Sequence, residues 1–187
     1  MTDSGRTGEP EDTAETIDTA GTVDAVGGTG GTGAIGAADT ARLRAMLARA
    51  DIGDLLARFA RCLDERDFTG YAELFTADGA LRMPGAEHRG RAGLAEFVAA
   101  DLGRYHRTHH LITNHQVDVD GDAASSRCYL YAVHLRGPDD PADWWSVGGH
   151  YDHTYRREGG VWRIRTVDIT PIWIGEGARP LPGPERE

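Results

Sequence analysis

Asp64, His110, His134 and Tyr151 are the residues whose types and spacing suit chemistry. Asp64 lies eight residues after Leu56 and four after Ala60, so on a helix it falls on the buried stripe. A carboxylate there is costly unless it meets a partner, and the alternative is a helix-end carboxylate that frays into water or caps a turn. In RTHHLITNHQV, strand alternation puts His106, Thr108, His110, Ile112 and Asn114 on one face and His109, Leu111, Thr113 and His115 on the other. The next strand divides into Cys128, Leu130, Ala132 and His134 against Arg127, Tyr129, Tyr131 and Val133. If the faces bearing His110 and His134 both turn inward, two imidazoles share one cavity. Ile112, Asn114, Leu130, Ala132 and the helical Phe59 would then contact the substrate. Imidazole titrates near neutrality, so one ring can remove a proton while a second group delivers one. The alternative for each His is an ordinary polar strand residue. Tyr151 and His153 share a face of SVGGHYDHTY, and a phenol there can polarise a carbonyl or bind an enolate, or simply fill the core.

The elements that must position these residues follow from periodicity. A helix is expected from an N-cap at Asp39 through RCLDERD, with a break near residues 51–53, where Gly53 weakens the interior. Leu43, Met46, Leu47, Ile52, Leu55, Leu56, Phe59 and Leu63 form its apolar stripe. Shorter helices are expected over 68–75 and about 91–103. Strands are expected over 106–119, 123–136, 146–157 and 161–173, with DGD and REGG as tight turns. Helices followed by a run of long antiparallel strands define an α+β fold.

Residues 1–37, rich in Gly, Thr, Ala and acidic side chains, are expected to form a disordered tail, residues 38–176 the folded domain, and residues 177–187 a flexible end. A net charge of −10 argues against a nucleic-acid partner, which needs clustered Lys and Arg. No apolar run is long enough for a membrane span and no signal core is present, so a cytoplasmic protein is expected. Cys62 and Cys128 have no CxxC spacing. The eight histidines include HRTHH, but neighbours on a strand point apart, so no metal site is expected. GGTGGTG follows no strand and no G-x-S-x-G is present, so the expected chemistry uses no cofactor.

The segments ending in LDERDF, THHLITNH and GGVWRI, within residues 39–176, resemble the SnoaL-like domains of the nuclear-transport-factor-two-like superfamily. That resemblance implies a cone-shaped curved antiparallel sheet with three packed helices around one pocket, and a homodimer formed through the outer sheet face. Such domains include dehydratases, cyclases, isomerases and non-catalytic binding or assembly subunits. The motifs are most similar to those of scytalone-dehydratase-like lyases, whose catalytic Asp and two His correspond to Asp64, His110 and His134. Leu63 and the Met83–Pro84 region stand where those enzymes carry tyrosines, and Tyr151 stands near the position of an active-site Asn. The implied function is cofactor-independent dehydration of a hydroxylated carbonyl or polyketide-like small molecule. His110 would act at the reacting carbon, His134 would be its partner, Asp64 would orient and charge His134, and Tyr151 would steady the enolate. The alternatives are isomerisation or cyclisation in the same pocket, or a binding or assembly role without catalysis.

Overall fold

A computed structural model describes residues 36–177. The expectations for residues 1–35 and 178–187 lie outside the described residues. Helix α1 spans Ala37–Asp64, α2 Phe68–Glu73 and α3 Leu94–Leu102. The strands are β1 Phe75–Met83, β2 Ala86–Arg89, β3 Arg107–Asp120, β4 Ala123–Leu135, β5 Trp144–Glu158 and β6 Val161–Glu176. They form one curved, unclosed sheet in the order β2-β1-β6-β5-β4-β3. Every pairing is antiparallel except β1 with β6, which is parallel. This is the α+β architecture that the order of helices and strands implies.

Helix α1 begins after Gly36, not at an Asp39 cap; Asp39 sits in the first turn, where a carboxylate favours the positive end of the helix dipole. The expected break at residues 51–53 does not occur. Gly53 costs about 1 kcal/mol in a helix, but Ile52, Leu55, Leu56 and Phe59 around it are fully buried and hold the helix straight through it. The apolar stripe starts later than its periodicity implies: Leu43, Met46 and Leu47 are exposed, and burial begins at Ala48. Arg49 ties the helix to the sheet by donating its Nε–H to the Val117 carbonyl at 3.1 Å.

The end of α1 is set by backbone geometry. Arg66 adopts φ 62°, the amide of Asp67 donates to the Cys62 carbonyl at 2.9 Å, and the amide of Arg66 donates to Leu63 at 3.3 Å. This paired closure with a left-handed residue satisfies the last carbonyls of a helix. It stops the helix just after Asp64. Asp67 then accepts the Gly70 amide at 2.8 Å and starts α2.

Two strands escaped the periodicity reading. In β1, the residues ADG form an irregularity between Phe75 and Ala80 that breaks alternation, and β2 is only four residues long. The expected second helix therefore ends at Glu73, before Phe75 enters the sheet, and the third starts at Leu94 rather than near residue 91. The two tight turns are as read. Asp120 pairs with Ala123 across Gly121, and Glu158 pairs with Val161 across Gly159 and Gly160, at φ 58° and 85°. Those positive angles match the right-handed twist of the flanking strands.

The inner sheet face supplies the core with Cys128, Leu130 and Ala132 of β4, Tyr151 and Tyr155 of β5, and Ile164 and Val167 of β6. Strand β6 pairs with β1 only as far as Asp168, so its last residues are held by β5 alone. The β5–β6 register shifts at Gly148 and Gly149. A Cβ on Gly149 would stand 2.2 Å from the Thr170 carbonyl oxygen, a contact that only backbone movement relieves. Gly149→Ala is therefore expected to cost about 2 kcal/mol or more and to lower the thermal midpoint by several degrees in calorimetry. An unchanged midpoint would show that the two strands are not so closely bound there.

Candidate active site

Between α1, α3 and the inner sheet face lies a cavity of about 190 Å³. Phe59, Leu63, Leu81, Leu130, Ala132, Val147 and Ile169 make its walls largely apolar. His110, His134, Tyr71, Tyr151 and Asp101 supply its polar groups. Phe59 fixes the aromatic wall, its ring 4.9 Å from Tyr71 and 5.6 Å from Tyr151 in edge contact.

Asp64 meets His110 through both carboxylate oxygens. Its Oδ1 accepts the His110 ring Nδ1 at 2.7 Å and the Thr108 hydroxyl at 3.0 Å, while Oδ2 accepts the His110 backbone N–H at 3.0 Å. Burial works against the charged carboxylate, but the hydrogen bonds from His110 and Thr108 outweigh it and hold Asp64 below the usual carboxylate range. An ionised Asp64 accepts only, so Nδ1 of His110 donates to it, and in the neutral ring Nε2 carries the lone pair. His110 is thereby oriented as a base whose protonated form has a counter-charge beside it.

This differs from the expected pairing of Asp64 with His134. His134 is packed instead among aromatic rings: Trp145 stacks on it at 4.0 Å and 7°, Tyr105 lies 5.0 Å away and His110 5.6 Å away. Burial above all, followed by the charges of His110 and Arg104, pushes its pKa down to about 4 against a weaker opposing pull from Asp64. His134 is thus neutral near pH 7. Its Nδ1 is buried without a hydrogen-bond partner among the described residues.

Tyr71 and Tyr151 are both buried, and burial raises both pKa values, with each phenol's neighbours adding to it. They remain protonated, and neither hydroxyl has a hydrogen-bond partner among the described residues, in contrast to Tyr155, which shares a proton with Ser126 at 2.7 Å. A buried Tyr O–H usually finds a partner. Two donors left open on one apolar cavity are a ready site for an acceptor oxygen.

Residues 44–168 match the SnoaL-like domain. The chain belongs to that family. A relative, the uncharacterized protein Rv2910c of Mycobacterium tuberculosis, is 29% identical over 129 residues, covering 65% of this chain and 87% of its own. Among solved structures, an NTF2-like protein with a cystatin-like fold from Novosphingobium aromaticivorans is 26% identical, with a TM-score of 0.62 over 71% of this chain and 88% of that one. The hexachlorocyclohexane dehydrochlorinase LinA type 2 shares the fold at 20% identity and a TM-score of 0.65, over 74% of this chain and 98% of that one.

Within this SnoaL-like domain, Phe59, Leu130, Ala132, His110, His134 and Tyr151 all line the cavity, and Asp64 reaches it through His110. Ile112 and Asn114, expected in the same wall, do not line it. Beyond Thr113 the β3 register shifts, Asn114 takes φ 54°, and the alternation that assigned its face is lost. Tyr71 and Trp145 belong to the cavity and were not singled out as site residues. Tyr71 lies in a six-residue helix too short to show a period, and Trp145 stands at the start of β5, before alternation marks a face. His153 lies behind the cavity, its Nδ1 3.9 Å from the Cys128 sulfur and its Nε2 without a partner. Burial lowers its pKa to about 4 and pushes the Cys128 thiol up to about 12.

His134 and His153 titrate near pH 4 when folded and near 6.5 when unfolded. Between those values the unfolded chain binds the extra protons, so stability falls as pH drops from about 6.5 towards 4, by roughly a few kcal/mol in all. The thermal midpoint is expected to decline over that interval, and His153→Leu to flatten the decline. A midpoint independent of pH between 7 and 4.5 would refute the neutral, buried state of these rings.

Proposed function

We propose that this SnoaL-like domain is a cofactor-independent enzyme that dehydrates a small hydroxylated carbonyl compound by proton transfer. The observation that carries this is the Asp64–His110 pair facing an apolar cavity that also holds the unpartnered hydroxyls of Tyr71 and Tyr151. A cavity of about 190 Å³ suits a compact molecule of about one ring, since pockets for larger ligands hold ~300–1,000 Å³. That favours a smaller substrate than a polycyclic metabolite.

In this reading the substrate carbonyl accepts hydrogen bonds from the two phenols. His110 Nε2 takes the proton from the adjacent carbon, and the C–H electron pair moves into an enolate steadied by those donors. Asp64 stabilises the imidazolium that forms. The enolate then expels the β-hydroxyl, the C–O bond breaks, and the proton on His110 leaves with hydroxide as water. Neutral His134 is too weak an acid for that step and instead offers a ring N–H to an oxygen of the substrate. Isomerisation would begin with the same enolate and end with the proton returned to another carbon, so the product separates the two.

The test is incubation of β-hydroxy ketones of about one ring in D₂O, with mass spectrometry of the products. Loss of water and deuterium uptake are expected for the wild type. Asp64→Asn and His110→Ala are expected to lower the rate about 10²- to 10⁴-fold, and Tyr151→Phe about 10²-fold or more. Unchanged turnover in the first two variants would sink the proposal.

The same reading includes a homodimer. On the outer sheet face Leu111, Tyr129, Tyr131 and Trp173 are exposed, with Trp173 5.6 Å from Tyr131 and lying where a Cβ on Gly148 would be. Aromatic side chains of this kind are enriched at subunit interfaces. Light scattering during size exclusion should give twice the chain mass, and Tyr131→Glu should shift it to the monomer. A wild-type monomer would remove this part of the reading.

A further inference from the structure

The wall that closes the cavity has a second side. Trp145 and Ile174 line the inner cavity and also a separate outer cleft of about 460 Å³, whose remaining lining is Arg104, Tyr105, Arg136 and Glu176. The two spaces differ in chemistry. The inner one is apolar with a few polar groups, whereas the outer one is lined by two guanidinium groups and the Glu176 carboxylate, with Asp101 and Asp143 paired to the guanidiniums beside it. Ile174 is 68% exposed although it forms part of both walls, and it stands on the stretch of β6 that only β5 holds. Its side chain can move without disturbing the core.

We infer that the substrate is elongated and acidic: its reacting ring or chain fills the inner cavity, and a carboxylate on a short tail is held by Arg104 and Arg136 in the outer cleft. The inference rests on the proposed function for what occupies the inner cavity. Both arginines have N–H groups to spare. Arg104 stands 4.9 Å over the Tyr105 ring and uses Nη2 on Asp101 at 2.9 Å; Arg136 uses Nη1 on Asp143 at 2.8 Å, with Glu176 at 3.9 Å from Nη2. These are exposed pairs of the kind worth little individually, and a guanidinium carries five donors in a fork that fits a carboxylate. Tyr105 links the two spaces physically, carrying Arg104 on one side and packing against His134 and Trp145 on the other. The tail would pass between Trp145 and Ile174. The inner cavity, small for a complete ligand, then needs to hold only the reacting portion.

The test measures binding without turnover. Cyclohexanones bearing an acetate, propanoate or butanoate tail at carbon 4, and the methyl ester of each, are titrated into the full chain by calorimetry. At least one acid is expected to bind tenfold or more tightly than its ester. In the doubly substituted Arg104→Gln/Arg136→Gln chain that preference is expected to fall to about twofold, with the ester's affinity unchanged. Both positions are exposed, and circular dichroism checks that the fold is retained. His110→Ala is expected to keep the preference for the acid. Equal affinity of every acid and ester, absence of binding by all of them, or an acid preference that survives the double substitution would overturn the inference. Binding with the expected preference but no proton exchange in a hydroxylated analogue would instead overturn the catalytic proposal alone.

Discussion

The carboxylate of Asp64 joins the helical layer to the sheet at the point where the site is built. It accepts three hydrogen bonds from two residues of β3, one of them from the backbone. Each bond offsets part of the cost of holding a charge in a partly buried position. The closure of α1 at Arg66 and Asp67 stops the helix immediately beyond this residue, so the position of Asp64 follows from backbone geometry as well as from its own contacts. A longer helix or a slipped β3 would separate the carboxylate from its donors and leave the imidazole without a defined tautomer.

Around that joint, the two histidines take unlike electrostatic states through unlike surroundings. His110 has a charged partner and a free ring nitrogen, whereas His134 has aromatic faces and no partner on its buried nitrogen. Two identical side chains 5.6 Å apart are thus differentiated by the groups packed around them. Burial keeps the phenols of Tyr71 and Tyr151 protonated in the same space, so the cavity combines a base with fixed donors.

Much of this was legible in the residues. The strict alternation of β4 placed Cys128, Leu130, Ala132 and His134 inward, and the glycine turns set the register of the hairpins on either side. Asp64 was legible as a carboxylate on the helix's apolar stripe, because helical spacing needs only local information; that it is partly buried and paired comes from the structure. Its partner was not: His110 and His134 lie on the same inner face, and the choice between them depends on where the helix end meets β3. Asn114 was misplaced because a register shift is invisible to a period-two count. Strand β1 was hidden by its ADG irregularity and by a parallel partner nearly 90 residues away. Tyr71 and Trp145 gain their roles only from tertiary packing.

Strand β3 is the last strand of an unclosed sheet, and the His110 amide points away from β4 to Asp64. An open edge of this kind is a template on which a foreign strand can pair. By occupying that amide, Asp64 removes one rung of the template, just before the register of the strand shifts near Asn114. The group that orients the imidazole therefore also takes one amide of the sheet edge out of reach of a foreign strand.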